Sequence, residues 1–149
     1  MSLNKKTRAV VSGAGGFIGH HLVKFLKKKG YWVRGVDIKK PEFENSAANE
    51  FILLDLRQRS NALRATKDID DVYNLASNMV GVGYLGTSRS LIMYDNMLID
   101  INMLESARLN KVKRFFYPSS ALVYPSFKSS KKNKNLKEEY VYPAMPDSE

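Results

Sequence analysis

Ser12-Gly13-Ala14-Gly15-Gly16-Phe17-Ile18-Gly19 is the stretch that decides the fold of this chain. It follows a short apolar run that is typical of a buried strand, and it opens a segment with the periodicity of an amphipathic helix. Glycines at the spacing G-x-x-G-x-x-G between a strand and a helix predict a dinucleotide-binding turn. We expect Gly13 to allow the tight turn, Gly16 to let a pyrophosphate approach the backbone, and Gly19 to let the helix pack closely on the strand. Phe17 and Ile18 begin the helix, whose N-terminal N–H groups and partial positive charge suit phosphates.

The composition is that of one soluble domain. The chain has 149 residues, of which 44% are hydrophobic and 26% are charged, so it is long enough to bury a core of its own. No apolar run is long enough to span a bilayer, and the N-terminus lacks the apolar core of a signal peptide. We therefore expect a cytoplasmic protein with no membrane association. The chain has no cysteine, which excludes disulfides and thiolate metal sites, and we expect no metal.

The net charge of +9 has two explanations at this point. Lysines occur in groups at residues 5–6, 27–29, 39–40 and 131–134, spread along the sequence. A nucleic-acid-binding surface needs cations gathered on one face with interleaved aromatic residues, so we expect mainly surface lysines that aid solubility. Part of the positive field is expected to attract a polyanionic cofactor and substrate. Nucleic acid is a minor alternative, which requires an affinity that falls steeply with salt.

Strand-like and helical segments alternate along the chain. Predicted strands cover residues 8–12, 32–37, 51–54, 72–75 and 115–118, and predicted helices cover residues 17–29, 60–66 and 90–110. Such alternation predicts βαβ units joined by right-handed crossovers. We expect an α/β fold with a Rossmann-type doubly wound parallel sheet in strand order 3-2-1-4-5.

The segment Ser90–Asn110 is the longest predicted helix. One stripe at helical spacing is expected to pack on the sheet, and it consists of Leu91, Met97, Leu98, Ile101, Leu104 and Ala107. Further apolar residues lie elsewhere around the helix, namely Ile92, Met93, Ile99 and Met103. A second apolar face of this kind indicates packing against another subunit.

A carboxylate is expected about 20 residues after a glycine-rich turn, where it binds the adenosine ribose hydroxyls. Asp37 follows Gly19 by 18 residues and ends the second predicted strand. Because a carboxylate accepts bonds from both hydroxyls and repels a 2′-phosphate, Asp37 favours NAD over NADP. Lys39 and Lys40 leave NADP open, since a nearby cation tolerates the phosphate.

Five motifs occur in a characteristic order, and together they carry a family resemblance. They are the glycine-rich turn, Asp37, Asp55-Leu56-Arg57, Asn74-Leu75-Ala76-Ser77, and Ser119-Ser120-Ala121-Leu122-Val123-Tyr124. The chain resembles the extended short-chain dehydrogenase/reductase family of NAD-dependent nucleotide-sugar epimerases and dehydratases, over about residues 8–149. Residues 79–84, 92–96 and 102–117 are most similar to the GDP-mannose 3,5-epimerase branch of that family.

The resemblance implies NAD as the cofactor and assigns residues to it. Asp55 would bond the adenine amino group with the Leu56 backbone beside it, Leu75 and Ala76 would approach the nicotinamide ribose, and Asn96 would lie near the active site. Two of these residues have simpler interpretations. Asp55 could cap the next helix, and Asn96 could be a polar residue on a solvated helix face.

The resemblance also implies a nucleotide-sugar substrate, with a GDP-sugar favoured. Ser120 matches the catalytic serine, whose hydroxyl shares a proton with the sugar O4 while a tyrosine phenolate removes it. Hydride transfer from C4 to NAD then gives a transient 4-keto sugar. Gly81 in the loop 79–83, and Ala121 and Leu122 beside Ser120, would contact the sugar. Alternatively, Ser120 satisfies backbone groups at a strand end.

Two departures from the family pattern limit what the chain does alone. Tyr124 and Lys128 have the spacing of the family's Tyr-x-x-x-Lys pair, but Pro125 lies between them and they follow Ser120 too soon. We expect the true pair to follow Glu149. Residues 1–149 are then expected to form an incomplete NAD-binding domain without a substrate domain, inactive by itself.

Leu122 stands where the 3,5-epimerase branch has a cysteine that transfers protons. Leucine cannot do so, which places epimerisation at C3 and C5 in question and leaves 4-epimerisation open. The family habit and the second apolar face also predict a homodimer through Ser90–Asn110. The competing interpretation is a non-catalytic NAD-binding module that senses redox state or supports an assembly.

Overall fold

The computed structural model of the chain describes residues 6–42, 44–78, 89–120, 123–124 and 137–141. Residues 1–117 form one compact unit, and residues 118–149 form a second, smaller one. The strands of the first unit are β1 (Arg8–Ser12), β2 (Trp32–Asp37), β3 (Glu50–Leu53), β4 (Asp71–Asn74) and β5 (Arg114–Phe116), and its helices are α1 (Phe17–Lys28), α2 (Arg59–Thr66) and α3 (Arg89–Leu109). The described part of the second unit contains a 3-10 turn at Glu138–Tyr140.

The five strands form one parallel sheet in the order β3-β2-β1-β4-β5, which confirms the predicted fold class and strand order. Ser12 at the end of β1 pairs with Val36 of β2 and with Asn74 of β4. The carboxyl ends of the three central strands therefore lie side by side. The chain moves outward in one direction from β1 to β3 and in the other from β4 to β5, so the switch point lies between β1 and β4.

Helices cover both faces of the sheet. On one face, α1 buries Val23 and Leu26 against Ala9, Val11 and Val33. The opposite face holds a second core formed with α2 and α3, which includes Val10, Val36, Val72, Ala62, Ala65, Ile99, Met103 and Ala107. Neighbouring residues of β1 thus serve different cores, because successive side chains of a strand point to opposite faces.

The strand and helix boundaries agree with the predicted ones within two residues. The largest difference is at β5, which ends at Phe116 instead of at Pro118. The register explains the shorter strand, because Phe116 pairs with Tyr73, one residue before β4 ends. Pro118 has no N–H to donate to the sheet and already belongs to the second unit.

The face of α3 that packs on the sheet was predicted wrongly. Five of the six residues expected there are partly or largely exposed, namely Leu91, Met97, Leu98, Ile101 and Leu104, and only Ala107 is buried. The buried face consists of Ile92, Asp95, Ile99, Met103, Ser106 and Ala107. Apolar residues occur all around this helix, and the buried face includes Asp95. The spacing of the apolar residues therefore does not identify the buried face. Packing, rather than pattern, selects the face.

None of the described helices is long and apolar enough to cross a membrane.

Candidate cofactor site

The glycine-rich turn adopts a conformation that only small residues allow. Gly13 has a φ of +71°, and a Cβ there would lie 2.8 Å from the backbone carbon and oxygen of Leu75. A Cβ at Gly19 would lie 2.1 Å from the carbonyl oxygen of Gly13. At Gly16, the nearest atom to a Cβ is 3.4 Å away, an ordinary van der Waals distance, so its backbone is not crowded by the protein. Gly13 and Gly19 hold the turn together, and Gly16 leaves room for a ligand.

Gly15 ties the turn to Asp37, a contact that the spacing of the glycines does not identify. The N–H of Gly15 donates to Oδ2 of Asp37 at 2.8 Å, and the N–H of Lys39 donates to Oδ1 at 3.1 Å. A Cβ at Gly15 would lie 2.3 Å from the carbonyl oxygen of Lys39. The Asp37 carboxylate, at the end of β2, therefore lies directly beside the turn that opens α1.

The first turn of α1 is suited to an anion. Gly16 is its N-cap residue, and the turn has neither a side-chain cap nor an acidic residue. Phe17 and Ile18 are 66% and 70% exposed. A helix N-terminus without a carboxylate of its own stabilises negative charge supplied by a ligand, through its N–H groups and its macrodipole. Together with the uncrowded backbone at Gly16, this geometry fits a pyrophosphate.

A second carboxylate, Asp55, follows the carboxyl end of β3 and is held by Arg57. The Arg57 Nε donates to Oδ1 of Asp55 at 3.0 Å, and a terminal nitrogen donates to Oδ2 at 2.8 Å. These bonds hold the pKa of the Asp55 carboxyl below its usual range and raise the pKa of Arg57. Asp55 does not cap α2, because the N-cap residue of that helix is Gln58 and has no side-chain cap. The capping alternative for Asp55 is therefore wrong.

Arg57 also links Asp55 to α3. Its other terminal nitrogen donates to Oδ2 of Asp95 at 3.0 Å, and the same oxygen accepts a bond from the side chain of Asn78 at 2.8 Å. Asp95 is 4% exposed, and these two donors satisfy its buried carboxyl group. The Asn96 side chain accepts a bond from the Asn78 N–H at 2.6 Å. Asn96 is thus bonded to the backbone that follows β4, and it is not a solvated polar residue.

A second polar network joins the ends of β1, β4 and β5. The Ser12 hydroxyl donates to the Asn74 side chain at 2.7 Å and accepts bonds from the N–H groups of Leu75 and Ala76 at 3.0 and 3.2 Å. The Asn74 amide donates to Asp100 at 2.8 Å. Ser12 therefore fixes the backbone of Leu75 and Ala76 at the switch point.

Tyr117 completes this network. Its hydroxyl donates to Asp100 at 2.9 Å, and this bond to a carboxylate raises the pKa of the Tyr117 phenol. Asp100, on α3, thus accepts bonds from the ends of two neighbouring strands. No role was assigned to Asp100 from the sequence, because its position on the helix gives no sign of what lies opposite.

The structure brings the predicted cofactor residues to one edge of the sheet. They are Gly13, Gly16, Phe17, Ile18, Gly19, Asp37, Asp55, Leu56, Leu75, Ala76 and Asn96, although Leu56 is buried and its carbonyl oxygen accepts a bond from the Asn102 side chain at 3.2 Å. Ser120 is exposed, belongs to the second unit, and accepts a bond from the Val123 N–H through its carbonyl oxygen. Gly81, Ala121 and Leu122 lie outside the described residues. The described residues contain no group of three His, Cys, Asp or Glu arranged to hold a metal.

Comparisons with known proteins agree with this architecture. The model of the NAD dependent epimerase/dehydratase family matches residues 9–146. GDP-mannose 3,5-epimerase 1 of Oryza sativa subsp. indica is 47% identical over 145 residues, which are 96% of this chain and 38% of the rice enzyme. GDP-mannose 3,5-epimerase of Arabidopsis thaliana is 46% identical over 91% of this chain and 37% of its own length. The chain therefore spans less than two fifths of these curated relatives.

Solved structures of the same fold include a UDP-galactose 4-epimerase, 34% identical with a TM-score of 0.68, over 79% of this chain and 39% of that chain. The complex of the Thermus thermophilus UDP-glucose 4-epimerase with NAD is 26% identical with a TM-score of 0.76, over 95% of this chain and 45% of that chain. The family match and the strand order agree with the motifs of the sequence. The chain belongs to the NAD-dependent epimerase/dehydratase family.

Proposed function

We propose that this chain is the NAD-binding part of a nucleotide-sugar epimerase or dehydratase that resembles GDP-mannose 3,5-epimerase and acts through a transient 4-keto sugar. The observation that carries the proposal is the glycine-rich turn, which is bonded to Asp37 through Gly15 and packed on Leu75 through Gly13. This arrangement joins a phosphate cradle to a ribose-binding carboxylate and to the switch point of the sheet.

In this proposal the phosphates of NAD lie at Gly16 and at the first-turn N–H groups of Phe17 and Ile18. Asp37 accepts bonds from the adenosine ribose hydroxyls and repels a 2′-phosphate. Its two oxygens already accept bonds from Gly15 and Lys39, and each oxygen retains a further lone pair for the ribose. Asp55, oriented by Arg57, accepts a bond from the adenine amino group next to the Leu56 backbone.

The nicotinamide half of NAD would lie along Leu75 and Ala76, whose backbone is fixed by Ser12, and beside Asn96. NAD supplies a hydride acceptor for the sugar C4. Ser120 would donate a hydrogen bond to the sugar O4 and thereby hold the alcohol from which the proton leaves. Gly81, Ala121 and Leu122 are proposed to contact the sugar.

We propose a GDP-sugar as the substrate, because the two plant relatives at 46–47% identity are both GDP-mannose 3,5-epimerases. A 4-keto group acidifies the C–H bonds at C3 and C5, and proton exchange there changes the stereochemistry. Leu122 cannot transfer those protons, so another group has to do so if C3 and C5 are epimerised.

The test is an assay, with NAD and GDP-mannose in D2O, of the intact protein that contains this chain. Epimerisation at C3 or C5 places solvent deuterium on the sugar, whereas 4-epimerisation returns the same hydride and incorporates none. Deuterium at C3 or C5 supports the proposal, and epimerisation without deuterium shows a 4-epimerase. NAD binding without turnover of any GDP- or UDP-sugar favours a non-catalytic NAD-binding module instead.

We also propose that the protein forms a homodimer through α3. Its outward face presents exposed apolar side chains at helical spacing, at Tyr94, Met97, Ile101 and Leu104. Sedimentation of the intact protein that contains this chain should show a dimer, and the double change Met97→Asp and Ile101→Asp should yield a monomer. Ile38→Asp, at an equally exposed apolar residue outside α3, should leave the dimer intact. A dimer that survives the double change contradicts the proposal.

A further inference from the structure

The fold gathers eleven of the 24 lysines and arginines of the chain at the amino edge of the sheet. At this edge the parallel strands begin and the helices end, so it contains residues 6–8, 25–32, 48–50, 63–71 and 106–114. These stretches also hold three aspartates and Glu50, which leaves a net charge of +7. Cations from four separate stretches of the sequence therefore lie at one edge of the sheet. We call this surface the basic edge.

The opposite, carboxyl edge is nearly neutral. Its described stretches are residues 12–20, 37–42, 44, 53–62, 74–78 and 89–92, which hold five lysines and arginines and four acidic residues. The proposed NAD site lies at this edge. The excess charge of the basic edge is thus at the wrong end of the sheet to serve the cofactor or a nucleotide sugar, and it needs another explanation.

The aspartates of the basic edge are largely occupied. Asp71 accepts two bonds from Arg114, and Asp70 pairs with Lys113 at 2.9 Å and accepts the Arg8 N–H at 2.9 Å. Arg108 is paired with Glu105. In contrast, Lys28, Lys67 and Lys111 are exposed and form no salt bridge with a described residue. These three come from the ends of α1 and α2 and from the turn after α3, so the unpaired charge extends across both faces of the sheet.

Helix macrodipoles explain only part of this distribution. Lys27, Lys28 and Arg108 lie in last helical turns, where cations are favoured. Arg8 and Arg114 begin strands, and Lys113 precedes one, so they are outside the helices altogether. The helix macrodipoles therefore do not account for these three cations.

Aromatic side chains lie among these cations. Phe25 is 54% exposed and has the Lys29 ammonium 5.5 Å from its ring centre. The Arg8 guanidinium lies 3.5 Å from the centre of the Trp32 ring, and Arg114 donates to the Tyr31 hydroxyl at 3.4 Å. Phe25 is the exposed ring of the three, whereas Tyr31 and Trp32 are half-buried. Single-stranded nucleic acids are bound by cations that contact the phosphates and by exposed aromatic rings that stack with unpaired bases, a role that Phe25 can fill.

We propose that the basic edge binds single-stranded nucleic acid through its phosphodiester backbone, without reading its sequence. A membrane surface fits less well, since it also needs apolar side chains to insert, and Phe25 and Leu109 are the large apolar side chains exposed at this edge among the described residues. The proposal is independent of the function proposed above, because the NAD site lies at the other edge.

The experiment measures binding of the chain to a fluorescent 20-nucleotide oligothymidylate as a function of salt. The test variant combines Lys28→Gln, Lys67→Gln and Lys111→Gln, and the control combines Lys39→Gln, Lys40→Gln and Arg59→Gln at the carboxyl edge. Both lose three charges. Each lost phosphate contact reduces the slope of log K against log salt concentration by about 0.7 in magnitude. The slope of the test variant should therefore be smaller by about 2, and its affinity at 0.1 M salt should be about 100-fold weaker.

The control variant should bind the oligonucleotide within about threefold of the unaltered chain, and circular dichroism should show that both variants are folded. Phe25→Ala should weaken binding of the oligonucleotide but not of inorganic polyphosphate, which has no bases. Equal losses in the two triple variants show a diffuse effect of net charge and overturn the proposal. Binding to phosphatidylserine vesicles but not to the oligonucleotide also overturns it, as does an affinity that does not change with salt. A titration of the same variants with NAD tests the proposed function separately, because the proposed NAD site lies at the other edge of the sheet.

Discussion

The two edges of this sheet differ in their charge and in how their polar side chains are held. The carboxyl edge is nearly neutral and is defined by bonded geometry, in which Gly15, Asp37, Arg57 and Asp95 each have named partners. The basic edge has a net charge of +7 carried mostly by exposed side chains, of which Lys28, Lys67 and Lys111 form no salt bridge with a described residue. If NAD binds at the carboxyl edge as we propose, its position is set by fixed polar groups and by glycines without room for a side chain, and not by the net charge of the chain.

The largest expected effect separates two glycines of the same turn. Gly19→Val places a side chain where a Cβ already lies 2.1 Å from a carbonyl oxygen, and it should lower the free energy of unfolding by about 3 kcal/mol. Gly16→Val meets nothing closer than 3.4 Å at its Cβ and has an extended φ of −80°, so it should fold normally. Its effect should be loss of NAD binding. Urea unfolding and NAD titration of both variants measure the two effects.

NAD binding by Gly16→Val equal to that of the unaltered chain would contradict this comparison, because it would mean that no part of NAD lies beside Gly16. The comparison is also weakened if Gly19→Val has unaltered stability, which would mean that the turn relaxes without cost.

Arg57 should matter for NAD affinity more than its exposed position indicates. Arg57→Lys cannot bond Asp55 and Asp95 at the same time, so we expect about a tenfold weaker NAD affinity, equivalent to about 1.4 kcal/mol. Arg59→Lys, on the first turn of α2, is the matched control and should have no effect. If Arg57 joins the two halves of the site, AMP affinity should fall less than NAD affinity. Equal losses for AMP and NAD would restrict its role to the adenine end.

A smaller effect is expected at Asp100. Asp100→Asn keeps the size of the side chain but removes the charge that the Tyr117 hydroxyl bonds, so the pKa of Tyr117 should fall toward its ordinary value. The unfolding free energy should decrease by about 1 kcal/mol. Ultraviolet titration of the phenol, with Tyr117→Phe to assign the signal, measures the shift. An unchanged Tyr117 titration would show that the carboxylate does not accept this bond.

The smallest effect concerns Glu44, which bonds Lys24 at 2.6 Å and lies 3.0 Å from His20. These contacts lower the pKa of Glu44 to about 2. A carboxyl with a depressed pKa stabilises the fold above its unfolded pKa of about 4.5 and loses this contribution as pH falls toward 2. Glu44→Gln should therefore lower the melting temperature slightly at pH 6, and the difference should narrow between pH 4.5 and 2. A constant difference over this range would contradict the assignment.

The sequence alone predicted those features that depend on residues close together along the chain. The turn at Gly13 and the position of Asp37 at a strand end follow from local spacing, and alternation indicated the α/β class. The exposed side of α3 was predicted wrongly, because Asp95 is buried by a partner 38 residues away. The link from Asp55 through Arg57 to α3, and the bonds of Asp100, depend on which elements become neighbours. The basic edge likewise exists only once the strands are parallel.

Calorimetric titration of the chain with NAD tests the central claim most directly, when it is carried out on the Asp37→Asn variant and on the Lys28→Gln, Lys67→Gln, Lys111→Gln variant. We predict that the unaltered chain binds one NAD and prefers it to NADP, that Asp37→Asn loses most of this affinity and preference, and that the triple variant binds NAD as the unaltered chain does. The opposite pattern, with Asp37→Asn unaffected and the triple variant weakened, would show that charge at the basic edge locates the cofactor and would contradict the account.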